Sequence, residues 1–206
     1  PKRFLQNLRA ICDRYGILLI VDEIQTGVGR TGTMWAFEQF GIVPDIVTVA
    51  KGIASGLPLA AVVANKELMD RWEPGAHGGT YGGNAVACAA AIATLEVMRD
   101  EKLPENAARI GGYLMAQLRE LQQEFPVIGE VRGLGLMIGV ELVKPDRAPN
   151  PEAVKRVIQR AQELRTLLIT AGEYDQVIRV IPPLVITQEQ ADAFLDVFAE
   201  ALKAAQ

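Results

Sequence analysis

The stretch Ile17-Leu18-Leu19-Ile20-Val21-Asp22-Glu23-Ile24-Gln25-Thr26-Gly27-Val28-Gly29-Arg30-Thr31-Gly32 decides the fold. An unbroken apolar run, Ile17–Val21, stops at two acids. Such a run is expected of a strand buried on both faces, as in a parallel sheet. The glycines after it mark a turn. Upstream, Phe4, Leu5, Leu8, Ile11, Cys12 and Tyr15 recur at helical spacing. That spacing predicts a helix over Lys2–Tyr15 with one buried face, ended by Gly16 as its C-terminal cap.

Working outward, Ile46–Val49 reads as a second buried strand, ending at Ala50-Lys51-Gly52, and Leu59–Ala64 as a third. The helix–strand rhythm predicts an α/β sheet with largely parallel strands. The pattern changes at Asn84. Ala85–Met98 is apolar on all sides, which predicts a buried, closely packed helix. It is expected to continue, with irregularity near Pro104, into a helical stretch around Ile110–Phe125 that Pro126 stops.

The last part predicts a compact α+β set. Leu134–Leu142 reads as a strand. Asn150 caps a helix with Pro151 at its first position, and Val154, Val157, Ile158, Ala161 and Leu164 fall on one face of it. Leu167–Ile169 and Val177–Ile181 read as short strands. Thr187-Gln188-Glu189-Gln190 is a capping box that opens the final helix. The expected division is a larger portion over 1–104 and a small α+β domain over 105–206.

Bulk composition narrows the function classes. The 206 residues are 50% hydrophobic and 22% charged, with net charge −4, so a sizeable core is available. No Lys/Arg stripe forms, which argues against nucleic acid as a partner. The longest apolar run, Ala85–Ala93, is far short of the roughly 20 residues a membrane span needs. Cys12 and Cys88 sit in no metal or CxxC spacing and read as buried thiols of a reducing cytoplasm. With one histidine, His77, a His-rich metal site is not expected. The chain starts at Pro1 and enters a helix pattern almost at once, as a piece of something longer would.

Three polar residues, Asp22, Gln25 and Lys51, fall at or just after strand ends. Ligands of α/β sheets bind at the carboxyl ends of strands. Each residue alone is an ordinary exit to solvent; the grouping points to a site.

Several segments resemble class III aminotransferases, which are pyridoxal-phosphate enzymes of the aspartate-aminotransferase fold (fold type I). Ile20–Gly32 resembles the family signature. Pro44–Gly52 resembles the strand and cofactor lysine that follow it. Gly56-Leu57-Pro58-Leu59-Ala60-Ala61-Val62 and His77-Gly78-Gly79-Thr80-Tyr81-Gly82-Gly83-Asn84 match the segments that come next, in order. The resemblance implies the C-terminal part of the large domain of that fold, followed by the small C-terminal domain.

It also implies roles. Lys51 would bond the cofactor aldehyde and later shuttle a proton. Its amine must be neutral to attack, which burial or nearby positive charge would favour. Asp22 would pair with the pyridine nitrogen and keep the ring an electron sink. Gln25 would contact the ring hydroxyl oxygen, and Ile24 would pack on one face of the ring; ordinary core is an equal reading for Ile24. Thr80 would reach the cofactor phosphate of a partner subunit, which requires a homodimer with a shared active site. Arg179, a lone arginine in an apolar strand, would grip the substrate carboxylate with its planar fork. Glu23 and His77 are read as structural, and Gly27–Gly32 as a structural turn beside the site, since it lacks the ending of a phosphate loop.

The Lys51 and Arg179 segments look most like 4-aminobutyrate aminotransferases, which exchange an amino donor with a 2-oxo acid acceptor. Acetylornithine and ornithine aminotransferases and class III racemases are close competitors. A structural fragment without activity is the alternative from another class. The phosphate cradle and the ring-stacking aromatic are expected outside these residues, so the isolated chain is expected to be inactive.

Overall fold

Helix α1 spans Lys2–Tyr15. Gly16 ends it in the left-handed region, at φ +64°, and the Ile17 N–H closes back on the Cys12 carbonyl at 2.9 Å. The computed structural model describes residues 2–205. They form two compact units, one running to Glu105 and one starting at Asn106.

In the first unit, strands β1 (Ile20–Asp22), β2 (Ile46–Val49) and β3 (Ala61–Ala64) make a sheet in that order. Cys12, Leu19 and Ile42 form a small core with Leu5, Leu8, Val21, Phe37 and Phe40 around it. Arg9 and Asp45 lock α1 to the sheet. The Asp45 carboxylate accepts from the Leu19 N–H and from the Arg9 guanidinium, both at 2.7 Å.

Several expectations change here. The first strand is shorter than Ile17–Val21, and Ile17, Leu18 and Ile20 are exposed. Its ladder partner begins only at Ile46, which pairs with Ile20. Only one face of the strand is covered among the described residues. The α1 face is likewise half covered, with Phe4, Ile11 and Tyr15 exposed. The sheet is mixed: β1 and β2 are parallel, whereas β3 runs antiparallel to β2 and is shorter than expected. The 50–60 connection is shorter than the dozen or so residues a parallel crossover needs, so the chain simply turns back.

A short helix α2 (Lys66–Met69), which the sequence did not suggest, is capped by the Asn65 side chain. Helix α3 covers Ala85–Asp100, and the Asn84 side chain accepts from the Val86 and Ala87 N–H groups. It is not buried all round. Ala87, Ala91 and Met98 are buried, while Val86, Ile92 and Val97 face outward. Nor does α3 continue into the next helix. Lys102, at φ +52°, breaks the chain, and α4 starts afresh at Leu103 and runs to Glu124. Pro104 thus stands in a first turn, where its missing N–H costs no helical bond.

The second unit is an antiparallel sheet with helices packed on one face. Strands β4 (Ile128–Leu134), β5 (Met137–Leu142), β6 (Ile169–Ala171) and β7 (Val177–Val180) follow the order β4-β5-β7-β6. Where one strand was expected over Leu134–Leu142 there is a hairpin, turning at Gly135-Leu136. The strand expected over Leu167–Ile169 instead begins at Ile169. Helix α5 (Pro151–Glu163) has its Asn150 cap, and α6 (Gln188–Leu202) its Thr187–Gln190 capping box.

The core joins α4, β4, β5, α5, β7 and α6. It includes Ile110, Leu114 and Leu118 of α4, Ile138 and Val140 of β5, Val154 and Val157 of α5, Ile178 of β7, and Phe198 and Leu202 of α6. Two polar ties link α4 to α6 and the segment before it. The Asn106 amide donates to the Leu184 and Ile186 carbonyls at 2.7 and 3.0 Å, and the Tyr113 hydroxyl donates to Asp192 at 2.6 Å. Gly111 lies so close to the β4–β5 turn that a β-carbon there would come within 2.0 Å of the Gly135 carbonyl oxygen.

Candidate active site

Asp22 ends β1, and its ladder partner is Thr48 on β2, three residues before Lys51. Neighbouring strands lie about 4.8 Å apart. The parallel pairing therefore delivers the carboxylate and the amine to the same end of the sheet. The Asp22 carboxylate accepts the Ile24 N–H at 2.9 Å, which turns the chain sharply at the strand exit. Ile24 is half-buried and Gln25 exposed within this turn.

Lys51 begins a 3-10 turn, Lys51–Ala54, and stands in the left-handed region at φ +50°. Ser55 at its end has φ +46°, and Val28, on the facing loop, has φ +53°. Such conformations cost of order 1–3 kcal/mol each for residues with a β-carbon, and a branched valine is the rarest of them. Helix α3 packs against the Lys51–Ala54 turn. Thr80 lies just ahead of α3, in an exposed segment. Lys51 is exposed too.

Glu23 is the residue whose importance the sequence understated. It is fully buried. Its carboxylate accepts the Phe37 N–H at 2.9 Å and the Thr26 hydroxyl. Its own N–H donates to the Thr48 carbonyl, and its carbonyl accepts the Gly27 N–H, both at 3.0 Å. Gly27 has no room for a side chain, since a β-carbon would sit 2.8 Å from the Glu23 oxygen and 2.9 Å from Trp35 Cε3. Val28 is buried and faces Gly52, where a β-carbon would lie 3.6 Å from its own. The turn between Asp22 and Phe37 is thus built around one carboxylate. The tandem Asp-Glu at a strand exit was the available signal.

Arg179 belongs to the second unit. It lies on β7 in register with Gly139 of β5 and Ile169 of β6. Ile178 and Val180 point into the core, so the pleat sends Arg179 to the opposite face. In the same row, β4 carries Arg132, which pairs with Glu141 and Glu130 at 2.7 Å each. The Arg132 hydrogen bond holds the Glu141 carboxyl below the usual carboxylate range. Gln176 donates to Glu141 at 3.2 Å and accepts the Tyr174 N–H at 3.1 Å, which ties in the β6–β7 turn.

The family profile of aminotransferase class-III matches residues 1–202. This chain belongs to the class-III aminotransferase family. It is 50% identical over 197 residues to the 5-aminovalerate aminotransferase DavT of Pseudomonas putida, covering 95% of this chain and 45% of that protein. It is 42% identical over 205 residues to the 4-aminobutyrate aminotransferase GabT of Escherichia coli, covering 98% of this chain and 48% of that protein. The crystal structure of a transaminase from the marine bacterium Virgibacillus superposes with TM-score 0.94 at 33% identity, over 100% of this chain and 49% of that one.

The chain thus spans about half the length of the curated relatives it matches. The class-III aminotransferases are pyridoxal-phosphate enzymes, and their fold type I architecture is the one found here. Asp22 and Lys51 fit that group chemically: an amine for its aldehyde and an anion for its ring nitrogen leave the same strand ends. Among the described residues, no helix is long and apolar enough to cross a membrane.

Proposed function

We propose that the protein carrying these residues transfers an amino group from an ω-amino acid, such as 4-aminobutyrate or 5-aminovalerate, to a 2-oxo acid. One observation carries this reading: the parallel pairing of β1 and β2 sends Asp22 and Lys51 out of the same sheet end. Pyridoxal phosphate, when bound, would supply an electron sink for the charge that develops at the substrate's amine-bearing carbon. Lys51 holds the cofactor and moves a proton to and from the reacting carbon. Asp22 keeps the ring nitrogen protonated. Gln25 donates a neutral hydrogen bond at the ring oxygen, and Ile24 borders the ring face. Arg179 fixes the distant carboxylate of the substrate by its bidentate fork.

Thr80 contacts the cofactor phosphate of a second copy, so the active form is a homodimer with shared sites. The exposure of the whole 71–86 segment is compatible with such a reach. Cytoplasmic residence belongs to the same reading, and both cysteines are free thiols. The isolated 206-residue chain is inactive in this reading, because the phosphate cradle and the ring-stacking aromatic lie outside these residues.

The test is spectroscopic and kinetic. The protein at full natural length, mixed with pyridoxal phosphate, develops the visible band of a lysine-linked cofactor, and Lys51→Ala abolishes it. A donor screen then ranks 4-aminobutyrate and 5-aminovalerate above acetylornithine, ornithine and chiral α-amino acids. A full-strength band in Lys51→Ala sinks the lysine assignment. A clear preference for acetylornithine, or racemisation without amino transfer, sinks the substrate assignment.

A further inference from the structure

We propose that Glu23 and Val28 are positioning residues for Lys51: Glu23 clamps the 24–37 loop, and the loop sets Val28 against the Lys51–Gly52 turn. The inference rests on the reading of Lys51 as the cofactor lysine.

The clamp has four attachments, all on one residue. Two use the carboxylate, which binds the Phe37 N–H and the Thr26 hydroxyl. Two use the backbone, which binds Thr48 of β2 and Gly27 of the loop. The same residue therefore grips β2, the strand that delivers Lys51, and both ends of the loop that returns over it. Thr31 strengthens the return, donating from its hydroxyl to the Thr26 carbonyl at 3.2 Å while itself buried. Gln39 adds a bond to the Thr31 carbonyl at 2.6 Å.

Val28 sits at the crest of this loop. A buried branched residue in the left-handed region persists only where its surroundings over-determine it. The surroundings here are the Glu23 clamp on one side and the Gly52 backbone on the other. Val28 lies against Gly52: a β-carbon built there would meet the Val28 Cβ and Cγ1 at 3.6 and 3.7 Å, ordinary van der Waals contact. Lys51 and Ser55 bracket that glycine, and both are strained. With Val28 in place the turn is hemmed in, and Lys51 departs in one direction. With Val28 absent the turn can relax, and Lys51 loses its aim. Neither residue touches reacting atoms in this scheme; both act through Lys51.

Three variants of the full-length protein separate this from a merely structural role. Glu23→Ala removes both carboxylate bonds. Glu23→Gln keeps them, because the amide oxygen accepts from Phe37 and the amide nitrogen donates to the Thr26 hydroxyl. Val28→Gly relieves the strained φ, which offsets the lost burial, so its melting temperature changes little. Pyridoxal phosphate affinity is measured by titration. Lys51 attachment is measured by borohydride trapping and peptide mass.

Expected are a roughly tenfold weaker affinity and slower trapping for Glu23→Ala and Val28→Gly, with Glu23→Gln within about twofold of the parent. The decisive signature is Val28→Gly losing affinity without losing stability. If Val28→Gly keeps both affinity and trapping rate, the proposal is overturned. Should Glu23→Ala not fold, Val28→Gly decides alone. A parent protein trapped on some residue other than Lys51 overturns the Lys51 reading instead, and the variants are then beside the point.

Discussion

Asp22 is exposed and Glu23 fully buried, although both are carboxylates at one strand exit. The pleat separates them: one serves the open end of the sheet and the other serves the loop. Sequence reading found Asp22 through the family signature and its place after an apolar run. Glu23 was read as structural, but what it holds is not legible until its donors, Phe37 and Thr26, are located in space. Arg179 was singled out for a different reason, as a lone cation in an apolar strand. Arg179→Lys keeps the charge and loses the fork. It is expected to raise the KM for the ω-amino acid roughly 10- to 100-fold, the worth of one charge-assisted hydrogen bond, with a smaller change in kcat. Steady-state kinetics on the full-length protein reads this directly, and an unchanged KM would remove Arg179 from substrate binding.

At the scale of elements, caps and helix periods transferred well from sequence to structure. Asn150, Thr187 and Gly16 stand where their chemistry predicted. Strands transferred less well, since pairing decides them. The β4 strand escaped notice because Glu130, Arg132 and the glycines at 129 and 133 interrupt any apolar pattern, yet it pairs along β5. The Gly111-Gly112 pair within α4 was equally opaque. The structure separates the two: Gly111 abuts Gly135, while nothing lies near Gly112. Gly111→Ala is therefore expected to destabilise the second unit by about 1–3 kcal/mol through overpacking. Gly112→Ala is expected to stabilise it by roughly 0.5–1 kcal/mol, as an open helical glycine should. Urea denaturation of both variants checks the opposite signs.

The α1–sheet tie gives a pH test. Bonds from the Leu19 N–H and then from Arg9 hold the Asp45 carboxyl below its usual range. Its contribution to stability is thus present above the unfolded value of about 4 and is lost as pH falls through the lower folded value. Asp45→Asn is expected to cost about 1–2 kcal/mol at neutral pH, and that difference should shrink below about pH 4 in denaturation curves taken across the acid range.

For the molecule as a whole, family membership was readable from ordered motifs, whereas solvent exposure was not. Burial is a property of neighbours, and a sequence pattern cannot say which neighbours are present. Ile20, Val62 and Val63 are apolar and exposed on the first sheet, and Ile17 and Leu18 are exposed just ahead of it. Exposed apolar side chains of this number promote association. The 206-residue polypeptide alone is expected to elute above its 22.4 kDa mass in light-scattering chromatography, and Ile20→Lys to reduce that. A monomer at all concentrations would contradict it. The Asn106 tie has a consequence in time. Its carbonyl partners lie 78 and 80 residues downstream, and the core they close over includes Phe198 and Leu202. Contacts of such long range form late. On the ribosome, α4 must wait, with Ile110, Leu114 and Leu118 unburied, until α6 has left the exit tunnel. During that interval a chaperone able to shelter one apolar helix face would have most effect, and a nonsense codon anywhere before α6 would leave the whole second unit unfolded.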